Sequence, residues 1–170
     1  IFARTPEAEQ KLIQQFSKHT VERVYQAIAI GEVQAQTIES HLIRDRGDGI
    51  RGSTPRQEEG QRAVTHVRPV ESLGKYTVVE CRLETGRTHQ IRIHLSEAGH
   101  MLCGEKVYDH RVGETKKTVD ESGAPRTALH ARELGFQHPA TGETLHFESK
   151  WPNDLEQFLK RLRRNAEAGK

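Results

Sequence analysis

The order of apolar patterns along the chain restricts the fold more than any other feature of the sequence. Apolar residues recur with a helical period in Pro6–Ser17, in a segment that ends at Gly99, and in a segment that follows Pro152. Strand patterns occupy the stretches between these segments. Helix, strands, helix, strands and helix, in this order, predict an α+β fold with a mainly antiparallel mixed sheet flanked by helices.

Two of the predicted helices carry start signals. Thr5 offers a hydroxyl cap, Pro6 suits the first helical position, and Glu7 complements the positive end of the helix dipole. Gly86 interrupts the strand pattern before the second helix, so we expect Thr88 to cap that helix. The predicted strands are residues 21–30, a shorter or irregular piece within 33–43, 63–70 and 75–83 as an antiparallel hairpin, 128–137, and 145–149.

Two polar segments are predicted to be flexible loops within a single domain that spans residues 1–170. Residues 44–62 contain five arginines and four glycines, with little apolar surface to bury except Ile50. Residues 110–127 are similarly polar. We expect neither segment to contribute to the core.

The overall composition says little about binding partners. The 26 lysines and arginines nearly balance the 24 aspartates and glutamates, giving a net charge of +2, so a nucleic-acid surface would require clustering of the basic residues. The two cysteines, Cys81 and Cys103, form no CxxC pair, and no apolar run is long enough to span a membrane. We therefore expect a soluble, cytoplasmic protein without structural disulfides.

The run from Gly86 to Arg92 is the strongest local signal for a functional site. A glycine turn leads into a helix start that offers backbone N–H groups and the positive end of the helix dipole, and Arg87 and Arg92 add charge. The two arginines need not face the same way, so one can bind a phosphate while the other pairs with a carboxylate. Composition alone fits an ordinary surface helix with two arginines equally well.

A metal site is not indicated, although His89, His94, His100 and Cys103 fall within fifteen positions. His89 and His94 are five residues apart, about 140° around a helix, and no pair has the spacing typical of a zinc site. Hydrogen-bonding histidines are the favoured interpretation, with a zinc-dependent hydrolase as the weakest alternative. Cys81, within a strand pattern, does not resemble a reactive thiol.

The string RLETGRTHQIRIHLSEAGHMLCGEKVYD resembles the signature segment of the RluA-type pseudouridine synthases, which act on large-ribosomal and transfer RNA. The strings IFARTPEAEQKLIQQF, VERVYQAIAIG and TALHARELGFQHPATGE resemble further segments of that family. Together these strings cover most of the chain. The resemblance implies the family's catalytic-domain fold, with the segment that carries the nucleophile absent from these 170 residues.

The resemblance also implies roles for individual residues. Tyr25 corresponds to the tyrosine that packs against the target base and is implicated in proton removal, although without the resemblance it fits a core tyrosine. Arg92 corresponds to the arginine that pairs with the catalytic aspartate, and Leu129 to an apolar residue that lines the uracil pocket. The residues expected to face RNA are Arg87, His89 and Gln90.

Two departures from the family pattern affect these expectations. The nucleophile of the family lies in an HRLD-like motif, which this sequence does not contain, so we expect the chain alone to be inactive. Asp45 is not a substitute, because it follows Tyr25 whereas the nucleophile precedes the tyrosine. Glu105 stands after Gly104, where the family usually has aspartate.

The implied activity is the isomerisation of specific uridines to pseudouridine in structured RNA by base flipping, without cofactor or metal. Ribosomal RNA is the favoured substrate and transfer RNA the second candidate, and the resemblance favours a monomer. The alternative is a catalytically inactive fragment or paralogue that binds RNA.

Overall fold

The computed structural model describes residues 1–110 and 117–168. Within them, three helices and seven strands form a single layered unit. The helices are α1 (Pro6–Ser17), α2 (Gln90–Glu97) and α3 (Asn153–Ala168). The strands are β1 (Glu22–Ile30), β2 (Gln36–Ile43), β3 (Gly52–Thr54), β4 (Gln61–Ser72), β5 (Tyr76–Leu83), β6 (Leu129–Gln137) and β7 (Thr144–Glu148).

The seven strands form one sheet in the order β3-β2-β4-β5-β1-β6-β7. The α+β prediction and the β4–β5 hairpin are confirmed. The expectation of a mainly antiparallel sheet is confirmed, and in the part of the chain that the structure describes the sheet is not mixed, because every strand pair there is antiparallel. Short turns join the β4–β5 and β6–β7 pairs, and such turns require antiparallel neighbours.

Helix α1 begins and ends where the sequence predicts. Thr5 adopts an extended conformation and its hydroxyl accepts the Ala8 N–H at 3.2 Å, as expected of a cap. Leu12 is buried in a small cluster with Phe136 of β6. The side chain of Gln15 also bonds both the carbonyl and the N–H of Gln137, each at 2.8 Å. These contacts attach α1 to the β6 end of the sheet.

The two faces of the central strands are covered by different helices. Ala27 and Ala29 of β1 point towards Ile91 and Leu95 of α2. Ile28, between them in sequence, belongs to a second cluster together with the buried residues of α3, which are Leu155, Phe158, Leu159 and Leu162. This alternation follows from the two-residue period of a strand. It places α2 and α3 on opposite faces of the sheet.

The prediction of a continuous loop over residues 44–62 is wrong in its second half. Gly52–Thr54 forms β3 against β2, Gln57–Glu59 forms a 3-10 turn, and β4 already begins at Gln61. An edge strand of this length is held by backbone hydrogen bonds and needs no apolar pattern, so periodicity does not reveal it.

Residues 117–127, in the second predicted loop, form no helix or strand, and residues 111–116 of that loop lie outside the described residues. Among the helices of residues 1–110 and 117–168, none has the length and apolar character needed to cross a membrane.

Candidate active site

The run from Thr85 to Arg92 connects the end of β5 to α2, and its helix start differs from the prediction. The residue before the first helical position is His89, not Thr88, and it has a left-handed backbone with φ of 60°. The His89 side chain makes no cap hydrogen bond; its Nδ1 lies 2.8 Å from the hydroxyl of Tyr108. The prediction that Thr88 caps α2 is therefore wrong.

Gln90 lies inside the protein, with 2% of its surface exposed. Its Nε2 donates to the carbonyl of Val64 at 2.9 Å and to the hydroxyl of Thr65 at 3.0 Å. Its Oε1 accepts the Thr85 hydroxyl at 2.8 Å and the Arg87 N–H at 3.0 Å. An amide side chain has two donors and an acceptor with two lone pairs, so all of its capacity is used. The expectation that Gln90 faces RNA is thus corrected: Gln90 fixes the loop before α2.

His94, one turn further along α2, continues this buried network. Its Nδ1 lies 2.9 Å from the Thr65 hydroxyl and its Nε2 lies 2.9 Å from the Ser40 hydroxyl. Burial lowers the pKa of His94 to about 4, so the ring is neutral at physiological pH. Both ring nitrogens already have partners, and His94 is a structural histidine.

The other residues considered as metal ligands are not close together. His100 follows the C-terminal end of α2, where its Nδ1 lies 3.3 Å from the carbonyl of Ile30, whereas His89 precedes the N-terminal end and contacts Tyr108. Burial raises the pKa of Cys103 and that of Cys81 to about 12, as expected of unreactive thiols. In the described ranges, no three His, Cys, Asp or Glu side chains are arranged to hold a metal ion.

Arg92 forms the strongest ion pair near the start of α2. Its Nε and Nη2 donate to the two carboxylate oxygens of Glu105, both at 2.6 Å, and its guanidinium lies 5.0 Å from the ring centre of Tyr108. The Glu105 carboxylate is fully buried, whereas 19% of the Arg92 side chain is exposed. Nη1 of Arg92 makes no hydrogen bond to any residue that the structure describes. The guanidinium therefore has one edge bound to Glu105 and another edge free for a second partner.

The electrostatics of this pair keep both groups charged. Burial alone would raise the pKa of Glu105, but the hydrogen bonds from Arg92 and from the N–H groups of Val107 and Tyr108 lower the pKa below its ordinary value. The hydrogen bonds to Glu105 raise the pKa of Arg92. The sequence indicated Glu105 only as a departure from the family pattern, and it did not indicate that this residue anchors Arg92.

Tyr25 and Leu129 lie on the face of the sheet that α2 covers. Tyr25 in β1 pairs with Ala131 in β6, and Leu129 pairs with Ala27, so Tyr25 and Leu129 are diagonal neighbours on adjacent strands. Both are partly buried against the core cluster that contains Ile91. The structure thus brings Tyr25, Leu129 and the helix that carries Arg92 to one side of the sheet.

Arg87 and His89 differ from Gln90 in their exposure. Arg87 is half-buried, and its Nε donates to the carbonyl of Arg62 at 3.1 Å. His89 is exposed, and its pKa is lowered by partial desolvation and then by the positive charges of Arg92 and Arg51. This grouping of cations is suited to an anionic ligand. Asp45, in contrast, accepts the N–H groups of two glycines in its own loop, at 2.8 Å each.

Comparisons with known proteins agree with this arrangement. Residues 1–97 match the family described as RNA pseudouridylate synthase. Ribosomal large subunit pseudouridine synthase D of Neisseria meningitidis is 41% identical over 170 residues, which are 98% of this chain and 45% of that protein. An uncharacterised RNA pseudouridine synthase of Bacillus subtilis is 40% identical over 96% of this chain and 51% of its own length. The chain therefore spans about half the length of the curated relatives it matches.

A solved structure shows the same fold. Human RNA pseudouridylate synthase domain containing 4 superposes with a TM-score of 0.75 at 24% sequence identity, covering 94% of this chain and 69% of that one. The family match extends over more than half of the chain and includes the whole run from Thr85 to Arg92. The chain therefore belongs to the RNA pseudouridylate synthase family.

Proposed function

We propose that the full-length protein isomerises specific uridines to pseudouridine in structured RNA, with ribosomal RNA as the favoured substrate. The observation that carries this proposal is the geometry of Arg92, whose guanidinium is held by Glu105 on one edge and is free on another. The relatives named as ribosomal large subunit pseudouridine synthases support the choice of RNA. Transfer RNA as a second substrate, a monomeric state and action in the cytoplasm belong to the same proposal.

In this proposal Tyr25 and Leu129 form the walls of the pocket for the target base. Both side chains are partly buried and pack on one cluster, so they offer apolar surface without filling the core completely. The uridine must leave its stack to reach them, at a cost of about a few kcal/mol. Contacts of the uracil ring with these two side chains offset part of that cost.

The free edge of Arg92 is proposed to bind the aspartate nucleophile that the family resemblance implies. An opposite charge at hydrogen-bonding distance lowers a carboxyl pKa, so Arg92 would keep that aspartate ionised and oriented. The aspartate attacks C1′ of the ribose as the bond from C1′ to N1 of the uracil breaks, and the uracil turns. C5 then attacks C1′, which forms the carbon–carbon bond and releases the aspartate. The proton on C5 leaves last, with the proposed help of Tyr25, and N1 takes up a proton. Atoms are conserved overall, so the reaction needs no oxidant or reductant.

The test is replacement of Arg92 in the full-length protein, with pseudouridine formation measured on ribosomal RNA. Because electrostatic groups of this kind typically contribute about 100-fold or more to turnover, Arg92→Ala is expected to abolish detectable product while RNA affinity changes little. Arg92→Lys keeps a charge beside Glu105 but loses the bidentate fork, and it is expected to fold and remain inactive.

Arg82→Ala is the matched control, because Arg82 is an exposed arginine of the same sheet that pairs with Glu80 and Glu22. It should retain turnover. Near-normal turnover of Arg92→Lys would contradict the assignment.

The second candidate is an RNA-binding protein without turnover. The cationic group around His89 and Arg92 favours it equally, and the 170 residues contain no HRLD-like motif. We expect the chain alone to bind RNA and to form no pseudouridine. If the full-length protein also binds the RNA tightly and forms no product, this second candidate replaces the first.

A further inference from the structure

Arg23 is a buried arginine without an acidic partner. It lies in β1, two residues before Tyr25, and only 9% of its surface is exposed. Among the described residues it forms no ion pair, and its Nε is the one buried side-chain nitrogen or oxygen that has no hydrogen-bond partner. Its Nη2 makes only a long bond, of 3.3 Å, to the carbonyl of Glu84. Buried charges are ordinarily paired, so this arginine requires an explanation.

The Arg23 guanidinium lines an open cavity of about 520 Å³ between α1 and the loop before α2. Phe16 of α1 supports the group from one side, with its ring centre 6.0 Å from the guanidinium carbon. Gly86 lies on the other side, where any side chain would collide with Nη1 of Arg23. The absence of a side chain at Gly86 is therefore what allows the guanidinium to lie against the loop.

The described residues that line the cavity include three basic side chains and no carboxylate. Arg87 contributes a second guanidinium, and its Nη1 and Nη2 make no hydrogen bond to any described residue. His19, at the end of α1, is the third basic side chain of the lining. Burial lowers the pKa of Arg23, yet a guanidinium stays protonated in proteins. The site therefore carries at least two positive charges with unused donors.

We infer that this cavity, formed by Arg23, Arg87, His19 and Gly86, binds a phosphate group of the RNA backbone next to the target nucleotide. The inference rests on the proposed function, because it assigns the phosphate to the RNA substrate. Two guanidinium forks match the oxygens of a phosphate, and Arg23 is about 7 Å along β1 from Tyr25. A nucleotide whose base contacts Tyr25 thus has its neighbouring phosphate within reach of Arg23.

The experiment measures the salt dependence of RNA binding by the full-length protein, with a uridine-containing ribosomal stem-loop as the probe. Removal of one phosphate contact lowers the slope of log affinity against log salt by about 0.7 for single-stranded RNA. Arg23→Gln is expected to show this change, together with roughly tenfold weaker binding at low salt. Arg23→Lys retains the charge and should retain most of the slope, which a purely structural role would not predict.

Gly86→Ala tests the same site without removing a charge. The Gly86 backbone is outside the left-handed region, so alanine is compatible with it, and the new β-carbon displaces the end of a flexible side chain. We expect it to weaken RNA binding in the same direction as Arg23→Gln. Arg82→Gln, at an exposed arginine on β5, is the control and should leave the affinity within about twofold.

The outcomes separate the two proposals. If the unaltered protein binds the stem-loop and both Arg23→Gln and Gly86→Ala leave its affinity and salt slope unchanged, the phosphate site is wrong and the proposed function stands. If the unaltered protein does not bind the RNA, both are wrong. Should Arg23→Gln fail to fold, Gly86→Ala decides, because it retains every charged group.

Discussion

The run from Thr85 to Arg92 has an inward half and an outward half, and the two halves satisfy their hydrogen bonds differently. Thr85 and Gln90 are buried, and every polar group of Gln90 has a partner within the protein. Arg92 and Arg87 each keep guanidinium N–H groups that bond to no described residue. Neighbouring residues of one motif thus divide into a set that fixes the backbone and a set that remains available to a ligand.

The inward half explains how the outward half is held in place. The left-handed His89 breaks the path of the chain immediately before α2, and Gln90 ties the preceding loop to β4 across the sheet. Catalytic groups must be held close to their productive geometry by packing and by a supporting shell of hydrogen bonds. The buried amide of Gln90 and the buried imidazole of His94 form that supporting shell here.

The largest expected effect comes from removing the centre of the inward half. Gln90→Ala removes all four side-chain hydrogen bonds of Gln90 and leaves the Thr85 hydroxyl proton and the Arg87 N–H without an acceptor, and each such group costs about 1–3 kcal/mol. We expect the free energy of unfolding to fall by about 4 kcal/mol, measured by urea denaturation at pH 7. Gln34→Ala, at an exposed glutamine, should change it by less than about 0.5 kcal/mol. A loss below about 1 kcal/mol for Gln90→Ala would show that water replaces the amide.

The next effect is a loss of stability in acid caused by His94. Its pKa is about 4 in the folded protein, below the ordinary value of 6.5, so the unfolded chain takes up the proton first. The contribution is complete above pH 6.5 and is lost as the pH falls towards 4, by about 3 kcal/mol in total. Carboxylates titrate in the same window, so unfolding free energies are compared with those of His94→Asn. If the free energies of unfolding of the two proteins fall in parallel as the pH is lowered, the lowered pKa of His94 is wrong.

Much of this fold could be predicted from sequence because its elements obey simple periodic rules. The α1 boundaries follow from Thr5 and Pro6, and β1 follows from a β-branched run that ends at a glycine. The face occupied by Tyr25 and Leu129 also follows, once the two strands are paired, from the alternation of side chains.

The division of the motif could not be predicted, for a physical reason. Six of the eight residues of α2 are buried, because the helix contacts the sheet and is also bonded to the segment that carries Tyr108. A helix covered on most sides has no single apolar stripe, so periodicity does not indicate where Gln90 points. Two of the partners of Gln90, Val64 and Thr65, lie about 25 positions away in sequence. The sequence does not indicate the burial of Arg23 either, since a charged residue in a strand ordinarily faces solvent.

A smaller effect is expected where the two halves meet, at Glu105. Glu105→Gln removes the charge that holds Arg92 and weakens the hydrogen bonds from the backbone N–H groups that follow Glu105. We expect the free energy of unfolding to fall by about 2 kcal/mol, a moderate loss because Arg92 is partly exposed. Glu105→Asp retains the charge, so its free energy of unfolding and its turnover should be closer to those of the unaltered protein. Unfolding free energies and turnover are measured for both.

The control for this pair is Glu39→Gln, which disrupts a similar two-pronged pair with Arg62 on the surface. Exposed pairs contribute little, so its loss should be clearly smaller. Equal losses at Glu39 and Glu105 would mean that burial does not distinguish the two pairs.

The smallest effect on stability is expected at His89, in the outward half. Glycine tolerates the left-handed backbone that His89 adopts, whereas alanine there costs about 1 kcal/mol. The free energy of unfolding of His89→Gly should therefore be within about 0.5 kcal/mol of that of the unaltered protein. Glycine removes the strain of the left-handed backbone, and this offsets the loss of the hydrogen bond to Tyr108. His89→Ala should be less stable than His89→Gly by about 1 kcal/mol, while both weaken RNA binding to the same extent, because both lack the imidazole. Unchanged RNA affinity in both variants would mean that His89 does not contact RNA and belongs to the inward half of the motif.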